Sequence, residues 1–347
     1  MNKQTRQQHQ NNKAVICSIR SITELGKLLK THPQQLKLMA QQPSYKTFTI
    51  PKKGGGERQI ENPSAPLKKV LSQLNRYLQS TYFFEKSNAA YGFVSGVRND
   101  DDRRNVLTNA QKHLGRPYLL NIDLKDFFHS VSRGMVLQIF LEKPFRFKGE
   151  LADLIADLCT YQERLPMGTP TSPTLSNFAC RSLDDTLQAY ATNMLWVYTR
   201  YADDMSFSSH QKINEEMIQS VKDLITQAGF RVNLRKVTRS GPEDAKIVTG
   251  LLLTDKVGLA PDFLPQLRSE VNQLAAAVRA QNEQGQLSTR WLTKMQQQVR
   301  GRISFAGFVL GRRHEQYMEI RDAFYTATNP PQEEFGAMSW RGFPYNF

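Results

Sequence analysis

Cysteine is scarce in this sequence of 347 residues: Cys17, Cys159 and Cys180 are the whole complement. No two form a C-x-x-C pair, so neither a zinc ribbon nor a disulfide framework is indicated, and reduced, buried thiols are the expectation. Long apolar runs are missing too, none approaching the roughly 20 residues that span a bilayer. The first residues, Met1 to Asn12, are polar and lack the apolar centre of a secretory signal, so a cytoplasmic protein with no membrane partner is expected. Acids are few near the start: residues 1–69 hold thirteen Lys or Arg against Glu24, Glu57 and Glu61, a net +10 within a chain total of +14. Such one-sided charge suits a polyanionic partner, nucleic acid above all, or else a solvated, solubilising face.

What is present reads as a globular protein with a sizeable core in two or three packed parts, with 39% hydrophobic and 22% charged residues. Residues 1–14, rich in Gln and Asn, are expected to be a disordered polar tail. A helical stretch follows over residues 22–38. The alternation in Tyr45-Lys46-Thr47-Phe48-Thr49-Ile50, the turn Lys52-Lys53-Gly54-Gly55-Gly56-Glu57-Arg58 and the return through Gln59-Ile60 predict a basic β-hairpin. Leu67, Val70, Leu71, Leu74 and Tyr77 recur at helical spacing, and helices are also expected over 151–159 and 213–228. Tyr118-Leu119-Leu120-Asn121-Ile122 is a short apolar strand running into Asp123. Trp196-Val197-Tyr198 and Met205-Ser206-Phe207 are strands flanking Ala202-Asp203-Asp204. Near the end, Leu267, Val271, Leu274 and Val278 share a helical face, and Ser288 can cap a second helix carrying Trp291, Met295 and Val299. Pro330-Pro331 interrupts regular structure before an aromatic tail over 335–347. No internal repeat is found.

Asp203 and Asp204 are adjacent acids in a turn between apolar strands, and Asp123 ends another apolar strand 80 positions earlier. An isolated Asp-Asp is most simply a turn in which Asp accepts backbone N–H groups. If the strands are neighbours, however, three carboxylates converge, and clustered carboxylates raise one another's pKa unless cations compensate. The cluster fits Mg²⁺, a hard ion that takes oxygen ligands. Two ions about 4 Å apart activate an attacking hydroxyl and stabilise a leaving oxygen, the chemistry of nucleotidyl transfer.

Tyr201-Ala202-Asp203-Asp204 resembles the Y-x-D-D signature of reverse transcriptases. Asn121-Ile122-Asp123-Leu124-Lys125-Asp126-Phe127-Phe128 resembles their first palm motif, and Leu165-Pro166-Met167-Gly168-Thr169-Pro170-Thr171-Ser172-Pro173 their L-P-Q-G-x-P-x-S-P loop. Order and spacing agree over roughly residues 45–255. Asn109-Ala110-Gln111-Lys112-His113 and Val248-Thr249-Gly250 are similar to the N-A-x-x-H and V-T-G elements of retron reverse transcriptases. Read singly, His113 would be a helix-end histidine, and Val248-Thr249-Gly250 a strand and turn.

The resemblance implies an α+β right-hand polymerase fold: fingers and palm over 15–255, a helical thumb over 256–322 and a C-terminal tail over 323–347. It implies an RNA-directed DNA polymerase that uses two Mg²⁺ ions and dNTPs. The template is a structured noncoding RNA, and the product a branched RNA–DNA hybrid (multicopy single-stranded DNA) primed from a 2′-OH. An effector protein in phage defence is the implied partner. Asp123, Asp203 and Asp204 are the expected catalytic metal ligands, with the backbone carbonyl of Ile122 or Leu124 as a further ligand. The nucleotide contacts are Lys52, Lys53, Arg58, Phe128, Met167, Gly168 and Lys236. Phe128 takes the aromatic position that blocks a ribose 2′-OH, with Phe127 as its core neighbour. Lys236 matches the lysine of the fourth palm motif, which protonates or neutralises pyrophosphate. Met167 departs from the family Gln, and a thioether cannot replace that amide's hydrogen bond.

The expected RNA contacts are Asn109, His113, Val248, Thr249, Gly250, Arg300 and Arg302. The last two lie in a stretch, 262–321, with nine Lys or Arg and five acids, which suits a thumb along a duplex or a bundle packed on the palm. Other readings are a non-catalytic RNA-binding scaffold with this fold, a group II intron-like reverse transcriptase and a general basic DNA-binding protein. The intact acids disfavour the first and third. The lack of a maturase region and of C-x-x-C pairs disfavours the second.

Overall fold

The computed structural model describes residues 5–51, 55–97, 100–284 and 289–328. The chain divides into two compact units, residues 2–244 and 245–347. The first opens with helices α1 (Arg6–Ser18), α2 (Ile22–Leu29) and α3 (Pro33–Gln41), the hairpin strands β1 (Tyr45–Pro51) and β2 (Glu57–Pro63), and the long helix α4 (Ala65–Glu85). Next come α5 (Val106–Gln111), β3 (Tyr118–Asp123), α6 (Phe127–Ser130), α7 (Arg133–Leu141), α8 (Glu150–Cys159), α9 (Ser172–Ala179) and α10 (Arg181–Asn193). The strands β4 (Val197–Tyr201) and β5 (Asp204–Ser209), helix α11 (Glu215–Gln227), a 3-10 turn at Leu234–Lys236 and strand β6 (Thr238–Ser240) complete it.

Four strands make one antiparallel sheet in the order β4-β5-β3-β6. Leu119, Leu120 and Ile122 of β3 are all buried; a strand covered on both faces carries a near-continuous apolar run rather than an alternation. The stripe of α4 that the sequence shows (Leu67, Val70, Leu71, Leu74, Tyr77) is buried in the same core as Ile155 of α8, Phe178 of α9 and Phe207 of β5. Cys159 and Cys180 lie within that core, where burial pushes each thiol up to about 12 and leaves it unreactive.

Two expectations fail here. Residues 6–14 are not a disordered tail but the body of α1. Thr5 and Gln8 form a reciprocal capping box, and α4 supplies a surface: His9 stacks on Phe83 at 4.9 Å and Lys13 bonds Glu85 at 2.7 Å. Composition reports only local preference, and a tertiary partner overrides it. The helix expected over 22–38 is two helices. Lys30 turns left-handed with φ 50°, and Pro33, which has no N–H to donate to the preceding turn, starts α3.

The second unit starts with a three-stranded antiparallel sheet, β7 (Lys246–Val248), β8 (Leu251–Leu253) and β9 (Val257–Leu259). Helices α12 (Phe263–Gln284), α13 (Thr289–Leu310) and α14 (Glu315–Thr328) pack on one another, and α13 also packs on β9. Leu267, Val271 and Leu274 of α12 and Val299 of α13 are buried as the periodicity requires. The division therefore falls at 244/245 and not at 255/256, because the short sheet of 246–259 forms its core with α13. The helix α14 likewise runs through the expected thumb end at 322 to Thr328. Ser288, Pro330, Pro331 and the tail over 335–347 lie outside the described residues, as do Lys52, Lys53 and Gly54. Among the described residues no helix is long and apolar enough to cross a membrane.

Candidate active site

Tyr201 pairs with Asp204 across β4 and β5, so only Ala202 and Asp203 make the turn. Two-residue hairpins of this kind require positive φ, and Ala202 has φ 57°. An alanine held there costs roughly 1–3 kcal/mol, a strain that the surroundings must maintain. In the β3–β5 register Asp204 lies opposite Asp123. The Leu124 N–H donates to the Asp203 carbonyl at 3.0 Å, which ties the turn to the end of β3. The expected neighbouring strands are thus in place, and the three acids stand at one end of one sheet.

Electrostatics bear out the crowding. Asp203 is raised above the usual carboxylate range, first by burial and then by the Asp123 charge, with Lys236 and Arg58 opposing. Asp204 keeps open surface, yet desolvation at the turn and the charges of Asp203 and Asp123 push it up to about 7. Lys236 Nζ donates to Asp123 Oδ1 at 2.7 Å, and Asn233 Nδ2 to Asp123 Oδ2 at 3.0 Å. Burial alone would lower the Lys236 pKa, but its bond to Asp123 and the three acidic charges raise it. The donor set is all oxygen, with negative charge in excess, which fits a hard divalent cation. Among the described residues no three His, Cys, Asp or Glu side chains are already gathered as a metal cage. Both Asp123 oxygens are engaged, and the Lys236 ammonium supplies part of the compensating charge.

Of the expected nucleotide contacts, Lys236 and Arg58 are tied to the three acids, while Lys52 and Lys53 lie outside the described residues. Arg58 on β2 is close enough for its charge to be felt at Asp203. Phe128, half-buried, lies 5.4 Å from the buried Phe127 ring and 6.0 Å from Phe93, while Phe127 packs on Phe230 at 6.3 Å. Gly168 has φ 127°, and a Cβ there would meet Ile60 Cγ2 at 3.0 Å and the Glu61 carbonyl at 3.1 Å. The loop therefore needs glycine where it passes β2. Met167 is held through its backbone: Glu61 N–H donates to its carbonyl at 2.7 Å, and its own N–H donates to Glu61 Oε2 at 3.0 Å. The position is anchored without the amide side chain that the family pattern carries.

The two retron-like elements sit differently from the expectation. His113 is 1% exposed and hydrogen-bonds Ser208 Oγ and Thr199 Oγ1, each at 2.7 Å. Burial, then the Arg116 charge, depresses its pKa to about 3, so it is neutral. Asn109 is also 1% exposed. Neither side chain reaches a surface where RNA could touch it; His113 fastens the turn after α5 to the sheet. Val248 is fully buried, and Thr249 and Gly250, with φ 48° and 79°, form the two-residue turn from β7 to β8. Of this triplet only the turn residues have surface to offer. Arg302 is engaged by Glu270 and lies over the Phe263 ring at 4.8 Å, so a phosphate would have to compete for it. Arg300 is half-buried on the same helix.

Several residues escaped the sequence reading. Asn233 grips Asp123 twice, through its side chain and through its N–H to the Asp123 carbonyl at 2.8 Å; its signal was proximity to Lys236 in the same short turn. Glu61, 1% exposed, accepts from Arg164 at 3.0 and 2.8 Å and lies 3.2 Å from His129 Nε2. Burial would push the Glu61 carboxyl up, but Arg164, the Met167 N–H and His129 outweigh it and hold it below the usual range. Arg200 stood out in principle, as a charge inside an apolar strand.

Comparison with known proteins places this geometry. Residues 50–248 match the family described as reverse transcriptase (RNA-dependent DNA polymerase). Retron Ec86 reverse transcriptase of Escherichia coli is 30% identical over 66% of this chain and 70% of its own length. Retron Mx65 reverse transcriptase of Myxococcus xanthus is 32% identical over 67% of this chain and 56% of its own. Among solved structures, telomerase from Candida albicans, in complex with a fragment of telomeric RNA, has a TM-score of 0.44 and 9% identity, over 84% of this chain and 64% of that one. A likeness that loose carries no weight here.

Proposed function

This chain belongs to the retron-type reverse transcriptases, RNA-directed DNA polymerases, and from that premise we propose that it copies a structured noncoding RNA into a branched RNA–DNA hybrid by two-metal nucleotidyl transfer. The observation that carries the metal reading is the register of Asp123 against Asp204 with Asp203 in the adjoining turn. Asp203 and Asp204, raised by burial and mutual repulsion, gain most from added positive charge. Asp123, Asp203 and Asp204 would hold two Mg²⁺ ions, which supply activation of the primer hydroxyl and charge neutralisation at the leaving group. Lys236 stands beside Asp123, where it can give charge or a proton to departing pyrophosphate. Arg58 faces the triphosphate, and Phe128 closes the side of the pocket where a ribose 2′-OH would lie. The basic first 69 residues offer phosphate contacts to a template; Arg300, Arg302 and the Thr249-Gly250 turn of the second unit are separate candidates for RNA contact. Primer choice, a cytoplasmic site of action and partnership with an effector protein in phage defence rest on the family resemblance.

The experiment is DNA synthesis on a defined RNA template by Asp203→Asn at matched protein concentration. A neutral amide holds Mg²⁺ poorly, so extension should be lost while the fold is kept. Near-normal extension would remove the metal assignment. Sequencing the nucleic acid that copurifies with the native protein tests the template reading, and a single structured RNA joined to DNA is the expected result.

A further inference from the structure

Behind the Ala202-Asp203 turn lies an ion pair with no access to water. Arg200 and Asp184 are both 0% exposed. Arg200 Nε donates to Asp184 Oδ1 at 2.8 Å and Nη2 to Oδ2 at 2.7 Å, a two-pronged clamp. Tyr198 Oη donates to the same carboxylate at 2.9 Å. The remaining arm, Nη1, donates to the Ala202 carbonyl at 3.1 Å and to Asn177 Oδ1 at 3.1 Å. Asn177 in turn donates to the Gly92 carbonyl at 2.9 Å. Gly92 also lies close against the turn: a Cβ there would meet the Ala202 nitrogen at 2.6 Å.

Stability alone does not call for such a pair, since apolar residues of similar volume serve a core as well or better. Its position suggests what it is for. The guanidinium grips the carbonyl of the one turn residue held at positive φ, and the glycine leaves room for that residue's nitrogen. We infer that Arg200, oriented by Asp184 and Asn177, is a positioning residue that sets the strained Ala202 turn and thereby aims Asp203 and Asp204. The inference rests on the metal reading of those two acids and adds to it the device that orients them. Arg200 touches no substrate. Its effect is transmitted through the Ala202 carbonyl, and lysine, with one ammonium in place of a planar fork, cannot hold Asp184 and Ala202 together.

The test uses the full-length protein with Arg200→Lys, with and without Ala202→Gly, and reads two quantities. One is Mn²⁺ affinity, by electron paramagnetic resonance without substrate; the other is kcat and dNTP KM on a defined RNA template. Arg200→Lys, folded by near-UV circular dichroism, should lose about 10- to 100-fold in Mn²⁺ affinity and in kcat, as when the support of a metal ligand is removed, with KM little changed. Glycine takes positive φ without strain, so Ala202→Gly in that background should recover a large part of both. A purely structural role for the pair predicts no such recovery. Wild-type kcat and Mn²⁺ affinity in folded Arg200→Lys overturn the inference, as does a failure of Ala202→Gly to restore either. If Arg200→Lys does not fold, Gly92→Ala carries the test: it leaves the ion pair intact and pushes the Ala202 nitrogen, and unchanged affinity and kcat overturn the inference. Asp203→Asn run alongside separates the two readings. Its retention of synthesis sinks the metal reading, whereas its loss beside a wild-type-like Arg200→Lys sinks only the positioning role.

Discussion

Phe127 and Phe128 show how one peptide step divides structure from chemistry. Phe127 is buried against Phe230, whereas Phe128 keeps part of its ring at the surface between Phe93 and Phe127. Phe128→Ala should therefore leave the core intact and open space beside the sugar. Ribonucleotide incorporation relative to dNTP should rise at least about tenfold, the scale of a lost steric contact in a pocket. Competitive incorporation assays measure it, and unchanged discrimination in a folded, active variant would assign the barrier to another side chain. His113 makes a different prediction, one of stability. Its pKa is about 3 in the fold and ordinarily 6.5, because burial disfavours the charged ring. Between those values the unfolded chain binds a proton that the folded chain does not. The histidine's contribution is thus whole above pH 6.5 and declines as pH falls toward 3, by about 1.4 kcal/mol per pH unit at most. Denaturant unfolding at pH 7, 6 and 5 should show that extra slope in the native protein and its absence in His113→Asn; parallel slopes would contradict the assignment.

At the level of elements, the β1–β2 hairpin is fastened to the 165–168 loop by Glu61. One carboxylate serves Arg164, the Met167 N–H and, at 3.2 Å, His129, the residue after Phe128. Strand β2, which carries Arg58, is thereby locked to the loop and to the helix that carries Phe128. Glu61→Gln keeps the shape and removes the charge, leaving Arg164 without its charged partner. Hydrogen bonds to charged groups are worth about 1.5–3 kcal/mol, so a stability loss of that size is expected. The dNTP KM should rise more than kcat falls, because the walls of the proposed nucleotide pocket loosen while the acids on β3 and β5 are untouched. Steady-state extension at varied dNTP checks this. A fall in kcat at constant KM would mean that the lock serves the chemical step instead.

For the whole molecule the dominant quantity is charge: +14 overall, with +10 in the first 69 residues. Phosphate contacts release counterions, so binding to any RNA should weaken steeply with salt. Arg300→Ala should weaken binding to all RNAs alike and reduce the salt slope by about one contact. Arg302→Ala should change the slope by less than one full contact, because its guanidinium is engaged by Glu270 and Phe263. A preference for one structured RNA must then come from shape and survive at higher salt. Thr249→Ala, at the half-buried position of the β7–β8 turn, should reduce that preference or initiation on the cognate RNA. The measurement is binding and DNA initiation on the copurifying RNA and on a shuffled control across several salt concentrations. Equal binding and equal initiation on both at every salt would make this a general polymerase.

The sequence by itself determined the strands around the acids, the α4 stripe, the basic hairpin and the identity of the three carboxylates. These are local patterns: apolar period, turn residues and short motifs are written within a dozen positions. Residues 6–14 misled because their polar composition reports nothing about α4, to which they dock. His113 and Asn109 misled because a motif marks which residues recur, not which way they face; both are buried, and the place of His113 against Ser208 and Thr199 is set by strand pairing. Glu61 with Arg164, Asn233 with Asp123 and Arg200 with Asp184 join positions 16 to 110 residues apart. No periodicity reaches that far. Only the tertiary structure decided which polar groups left water together, because a buried charge is tolerated only where another part of the chain arrives to partner it.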